Sequence, residues 1–487
     1  MEDLELRYKQ FQEKTSCLNV IDSIYTVWAL MNNFQFDIPL PNDIQIIKES
    51  SIIERRLNSA NEWELEFILK EILKNGLLGS SQYNLKENRF LSGLTQNCRF
   101  LEDNLYAALN INENEEIIFK YTFNQFHRQF VWQEQMNLNS ILYRYYKIFS
   151  YLDLDKIIEN KIGMKTFDII RVGFYLTFCF FKRFFWELPL KSGITSITNE
   201  ALNKFIGIFA TQYDDLRKQL IQMNDFDHEM FYKYTPLRGN PLIILNDKLY
   251  CPIVTSFVWQ YTSGLYYRMY NEEGFSNAFG KSFQDYIGFI INKAIGKEFK
   301  LIPEAKYIQN GDTKDSIDWI IEDVNSYLFI ECKTKRLLFT AKTELKDDVS
   351  LKKELDKMAS FIIQSYKTIS DCRKSLYTNL EYNKNKKAFL LILTLEDWFI
   401  SNSLYYFKLR ENVIDKIKEL GIDESIVNDI PFFINSTSFF EKEIQLISHI
   451  GISLYYTKTL SGEISEEKKQ FTFKYLHNED FLKEFKF

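Results

Sequence analysis

The stretch Ser316-Ile317-Asp318-Trp319-Ile320-Ile321-Glu322-Asp323-Val324-Asn325-Ser326-Tyr327-Leu328-Phe329-Ile330-Glu331-Cys332-Lys333 decides how the second half of this chain is read. Residues 316–321 and 326–333 are runs rich in β-branched and aromatic side chains. The polar Glu322-Asp323-Val324-Asn325 between them is a turn signal, so the pattern predicts a β-hairpin. Side chains alternate along a strand, which puts Glu331 and Lys333 on one face and Cys332 on the other. Pairing the runs brings Asp318 alongside them. Two carboxylates and an ammonium on one patch suit Mg²⁺, which prefers hard oxygen ligands and binds through one or two carboxylates plus substrate phosphate. Asp318 and Glu331 are the expected ligands, with the backbone carbonyl of Cys332, not its thiol, as a third oxygen. Mn²⁺ is the alternative ion. Lys333 stands where it orients an attacking water or stabilises charge on a phosphoryl oxygen. The patch is expected to face solvent.

Working outward, residues 278–295 carry Phe279, Phe283, Ile287, Ile290, Ile291 and Ala294 at helical spacing. Residues 300–308 read as a strand leading to the hairpin. Beyond it, Leu351, Leu355, Met358, Ala359, Ile362, Ile363, Tyr366 and Ile369 mark one face of a long helix, and Ala388-Phe389-Leu390-Leu391-Ile392-Leu393 reads as a buried strand. The predicted order is αβββαβ.

This order, with Asp318 and then Glu331-Cys332-Lys333 closing an apolar strand, resembles the PD-(D/E)XK phosphodiesterase superfamily, the fold of many restriction and repair nucleases. The resemblance spans residues 278–395, about a quarter of the chain. It implies a metal-dependent endonuclease, with DNA favoured over RNA as partner, and a place in bacterial restriction or antiphage defence. The alternative is a non-cleaving nuclease-fold protein that serves as a nucleic-acid or protein interaction module. Relatives often carry a Glu on the first helix, where this chain aligns Gln284, so Gln284→Glu is expected to leave activity equal or higher by adding a charged oxygen. Relatives also place a Gln or Lys on the second helix, which makes Gln364 a catalytic candidate, with Lys367 beside it.

Composition bounds the alternatives. At 487 residues the chain has room for two or three domains, and 46% hydrophobic with 26% charged residues is ordinary for a globular protein. The 16% aromatic share is assigned to packing, not to base stacking. A net charge of −6 argues against coating nucleic acid with the whole surface. Local lysine clusters remain: Lys333, Lys335 and Arg336 at the motif, Lys352, Lys353 and Lys357 on the second helix, and Lys384, Lys386 and Lys387 before the last core strand. Six cysteines without Cys-x-x-Cys spacing suit a reducing compartment, and four histidines without metal-ligand spacing argue against a His-based hydrolase. Gly274 to Ser282 imitates a phosphate-binding loop but has five residues between its glycines where the pattern needs four.

The fold class expected is α+β. Residues 1–232 form a mostly helical regulatory or targeting region, with helices signalled by Leu65, Ile68, Leu69 and Ile72 before a stop at Asn75-Gly76, and by Thr198-Asn199 opening another. This region offers a surface for a protein partner or self-association. Residues 233–487 hold a restriction-endonuclease-like core and a C-terminal α/β extension, with Leu454-Tyr455-Tyr456-Thr457 and Gln470-Phe471-Thr472-Phe473 read as strands. The acidic Met1-Glu2-Asp3-Leu4-Glu5 is no signal peptide, and residues 172–181 are too short to span a bilayer, which needs about 20 apolar residues. A cytoplasmic protein without membrane attachment is expected.

Overall fold

The computed structural model describes residues 2–44, 60–108, 115–133, 136–223, 226–343, 349–377, 379–400 and 404–485. The chain is α+β and divides into two compact units. One comprises Met1–Tyr146, Leu152–Glu272 and Phe481–Phe487, the other Lys147–Tyr151 and Glu273–Asp480. Among the described residues no helix is long and apolar enough to cross a membrane.

The first unit is mainly helical. Thr198 caps the helix Asn199–Phe209 by accepting the Ala201 N–H at 3.1 Å, and the helix Glu62–Asn75 stops where Gly76 follows. That helix is buried almost throughout, acids included. A buried carboxylate needs a partner: Glu64 receives two bonds from Arg99, at 2.6 and 2.9 Å, and Glu66 two from Arg238, at 2.6 and 2.5 Å. The boundary expected near residue 232 is displaced to Glu272–Glu273. The cause is a hairpin, Leu242–Leu245 with Lys248–Tyr250, turned by Asn246 and Asp247 at φ 50° and 55°. It pairs with Phe185–Glu187 on one side and Ala210–Gln212 on the other, so sheet hydrogen bonding assigns it to the helical unit.

The second unit contains α1 (Phe275–Ala294), β1 (Lys300–Pro303), β2 (Lys306–Gln309), β3 (Asp312–Asp315), β4 (Trp319–Glu322), β5 (Ser326–Lys333) and α2 (Val349–Arg373). After these come β6 (Lys387–Thr394), α3 (Leu404–Glu419), β7 (Phe432–Ser436), α4 (Thr437–Ile450) and α5 (Ile452–Ser461). Five strands make a mixed sheet in the order β7-β6-β5-β4-β1. The pairs β7–β6 and β6–β5 are parallel, whereas β5–β4 and β4–β1 are antiparallel. Central β5 is buried on both faces from Ser326 to Ile330, as its unbroken apolar run requires.

Three expectations fail locally. The strand expected over 300–308 ends at Pro303, which has no N–H to donate. Lys306–Gln309 instead pairs with Asp312–Asp315 around Asn310 and Gly311, both at positive φ. The segments expected as strands at 454–457 and 470–473 are not strands: the first lies inside α5, and the second follows a short helix ending at Gln470. Tyr456 reaches the sheet from a helix, its ring 5.0 Å from Phe389 and 4.6 Å from Phe433, so aromatic content there served helix-on-sheet packing. The first helix, expected from residue 278, starts at Phe275, so Gly280-Lys281-Ser282 lies within it.

α1 is fastened to β4 at one close approach. The Trp319 indole donates to the Gln284 carbonyl at 3.0 Å, and a Cβ on Gly288 would lie 2.2 Å from that ring. Gly288→Ala is therefore expected to displace Trp319 and cost about 1–3 kcal/mol, read by denaturant unfolding.

Candidate functional site

The β4–β5 register places the site. The antiparallel pairing of β4 with β5 ends at Trp319 and Ile330, and Asp318 and Glu331 are the next residues outward, close enough for the charge of Glu331 to act on Asp318. The backbone N–H of Cys332 donates to Asp318 Oδ2 at 2.6 Å, which ties the Asp318 side chain across to β5. Lys333 Nζ lies 2.6 Å from Glu331 Oε1 and 4.9 Å from the Phe361 ring of α2. Alternation thus sends Lys333 toward α2, while Trp319 meets α1.

The patch does not face open solvent as expected: the Glu331 and Lys333 side chains are only 12% and 18% exposed. Burial, and then the charge of Glu331, push the Asp318 carboxyl above the usual carboxylate range, against the pull of the Cys332 N–H and Lys333. Burial raises Glu331 as well, opposed by the Lys333 ammonium. The Cys332 thiol is raised by burial and by both carboxylates, so it enters the site as a neutral thiol with its N–H engaged. Gln364 and Lys367 lie exposed on α2, Gln364 one turn beyond Phe361.

The lysine clusters separate once their partners are visible. Arg336 is buried and pairs with Glu396 at 3.1 Å, and Lys386 pairs with Glu322 at 2.8 Å, so both serve the fold. Lys335 pairs with buried Glu354 at 3.0 Å and, with Lys353, Lys357, Asp356 and Ser360, lines an open groove of about 440 Å³. The groove begins two residues past Lys333.

One residue escaped the sequence reading. Glu304 continues the β1–β4 register opposite Asp318, and its N–H donates to the Asp318 carbonyl at 2.9 Å. Its charge raises both Asp318 and Glu331. Gln284 Nε2 donates to Glu304 Oε2 at 3.0 Å. The available signal was Pro303, which marks the end of the strand and hence the rung that Glu304 occupies.

No family model, curated protein or solved structure matches the chain. What the site can hold follows from its own donors. Among the described residues no three His, Cys, Asp or Glu side chains are grouped to hold a metal ion. Two hard carboxylates beside a lysine fit Mg²⁺, which uses few protein ligands and retains waters, better than zinc in a closed site of four.

The raised Asp318 carboxyl fixes the sign of a pH effect. Its native form holds a proton more tightly than the unfolded chain does, so its ionisation destabilises the fold as pH rises beyond about 4. Without divalent cation, Asp318→Asn is expected to raise the unfolding temperature at about pH 8 and to have little effect near pH 3. A thermal-unfolding series across pH checks this; equal gains at both ends would remove the linkage.

Proposed function

We propose that the second unit is a Mg²⁺-dependent phosphodiesterase, an endonuclease acting on nucleic acid, with DNA the favoured substrate. The observation that carries this reading is the placement of Asp318 and Glu331 beside one another just past the last paired rung of β4 and β5, with Lys333 two residues on along β5. Like charges facing each other across strands are destabilising, so the arrangement makes physical sense where a cation joins them. The chain order α1, β1, β4, β5, α2, β6 and the mixed sheet support a restriction-endonuclease-like core, with the β2–β3 hairpin as an insertion.

A divalent cation at the pair would acidify a water and offset charge on a phosphoryl oxygen. Asp318 and Glu331 would hold it, and the Cys332 N–H fixes the direction of Asp318. Lys333 exchanges Glu331 for the phosphoryl oxygen as charge builds there. Water adds to phosphorus and gives up a proton to solvent, the P–O bond to the leaving sugar breaks, and that oxygen takes up a proton from solvent as it departs as an alcohol. Gln364 is the candidate on α2 for contacting the substrate chain. The helical unit targets or regulates cutting, and a defence role follows from the resemblance alone.

Purified protein incubated with plasmid, linear duplex, single-stranded DNA and RNA is expected to cut with Mg²⁺ or Mn²⁺ and not with EDTA. Asp318→Asn and Lys333→Ala should each lower cleavage about 100-fold to 1000-fold. Excess Mn²⁺ should partly rescue Asp318→Asn, whose defect is ion binding, and not Lys333→Ala. Binding of a nucleic acid or protein without cleavage under every metal condition would establish the non-cleaving alternative instead.

A further inference from the structure

We propose that Glu304 is an outer carboxylate of this site and that Gln284 is the positioning residue that holds it there. The amide on α1 would then act through Glu304 and not on the cation itself. The inference rests on the metal-site reading above.

Three adjacent strands each bring one acid to the same level of the sheet. Glu304 follows β1, Asp318 precedes β4 and Glu331 lies on β5, each opposite the next by register. Glu304 is exposed, and these acids do not form a direct three-ligand set. An exposed carboxylate at the end of this level suits contact with a hydrated cation through its water shell, because Mg²⁺ is reluctant to dehydrate.

Gln284 is fixed at both ends. Its backbone carbonyl accepts the Trp319 indole N–H at 3.0 Å, which anchors this turn of α1, and its side-chain Nε2 donates to Glu304 Oε2 at 3.0 Å. A lysine in its place would orient Glu304 but also neutralise it, whereas an amide orients the carboxylate and leaves its charge available. A glutamate would set two like charges at hydrogen-bonding distance. On this proposal the expectation for Gln284→Glu reverses: the added charge meets Glu304 first and drives it from its position.

Mn²⁺ titration of the full chain, followed by electron paramagnetic resonance, tests this without relying on cleavage. Glu304→Gln and Gln284→Ala should each weaken Mn²⁺ binding about 10-fold to 100-fold, the usual loss when an outer-shell partner is removed. If Gln284 works through Glu304, the double variant should bind no more than about threefold weaker than the worse single variant. Gln284→Glu should also weaken binding. Tighter binding by Gln284→Glu, or single losses that multiply in the double variant, would overturn the proposal. Asp318→Asn separates the two levels. If it loses Mn²⁺ while Glu304→Gln binds like wild type, only the Glu304 assignment falls. If wild type binds no Mn²⁺, or Asp318→Asn titrates like wild type, the metal site falls with it. Thermal unfolding of each variant identifies any loss caused by misfolding, and for such a variant Glu304→Ala or Gln284→Asn replaces it.

Discussion

The pairing of Trp319 with Ile330 is the constraint from which the second unit takes its form. A strand repeats every two residues, so a slip of one would send Trp319 away from the gap at Gly288 and turn Asp318 from the face of Glu331. Apolar burial enforces the register: Ile320 and Ile321 of β4, and Tyr327 to Ile330 of β5, are all at most 1% exposed. The site's geometry is thus a by-product of where the core places its isoleucines. Side chains that do no packing inherit their positions from those that do.

Register alone would leave the carboxylates repelling one another. The backbone limits this by aiming the Cys332 N–H at Asp318, while Lys333 neutralises part of Glu331. Neither cancels the burial that raises both acids. A sequence selected only for stability would place an apolar pair at this rung, as it does at each neighbouring one. Local conflict between charge and burial in an otherwise consistent sheet is what singles out this rung as the candidate site.

What the sequence revealed depended on how local the cause was. Caps at Thr198 and Gly76, the amphipathic faces of α1 and α2 and the apolar runs of β5 and β6 were all legible, because each is written within a few neighbouring residues. The break at Pro303 was written there too, but its consequence, Glu304 falling opposite Asp318, needs three strands to be aligned. Tyr456 misled because aromatic residues serve strands and helix faces alike, and only the partners Phe389 and Phe433 decide between them. The fates of Arg336 and Lys386 were equally hidden, since a lysine cluster carries no sign of the acids that will meet it. Of the candidate site, the Asp318, Glu331 and Lys333 grouping could be read from alternation, whereas its burial and the Gln284–Glu304 hydrogen bond could not.

The division of the chain between units bears on any attempt to take the protein apart. The backbone passes from one unit to the other four times, because Lys147–Tyr151 belongs with the sheet unit and Phe481–Phe487 with the helical one. Phe149 packs 5.6 Å from Phe279 of α1, and the Ser282 hydroxyl bonds the Ile148 carbonyl. In return, Phe481 and Phe485 sit 5.0 and 5.1 Å from Phe174 and Phe167 of the helical unit. A fragment beginning at Glu273 would lack its own aromatic plug and carry one that belongs elsewhere, with an apolar surface bared at each place. Neither half is a cassette that can be excised at a single bond, and recombination between related chains at that point would have to restore two short segments as well as join two long ones.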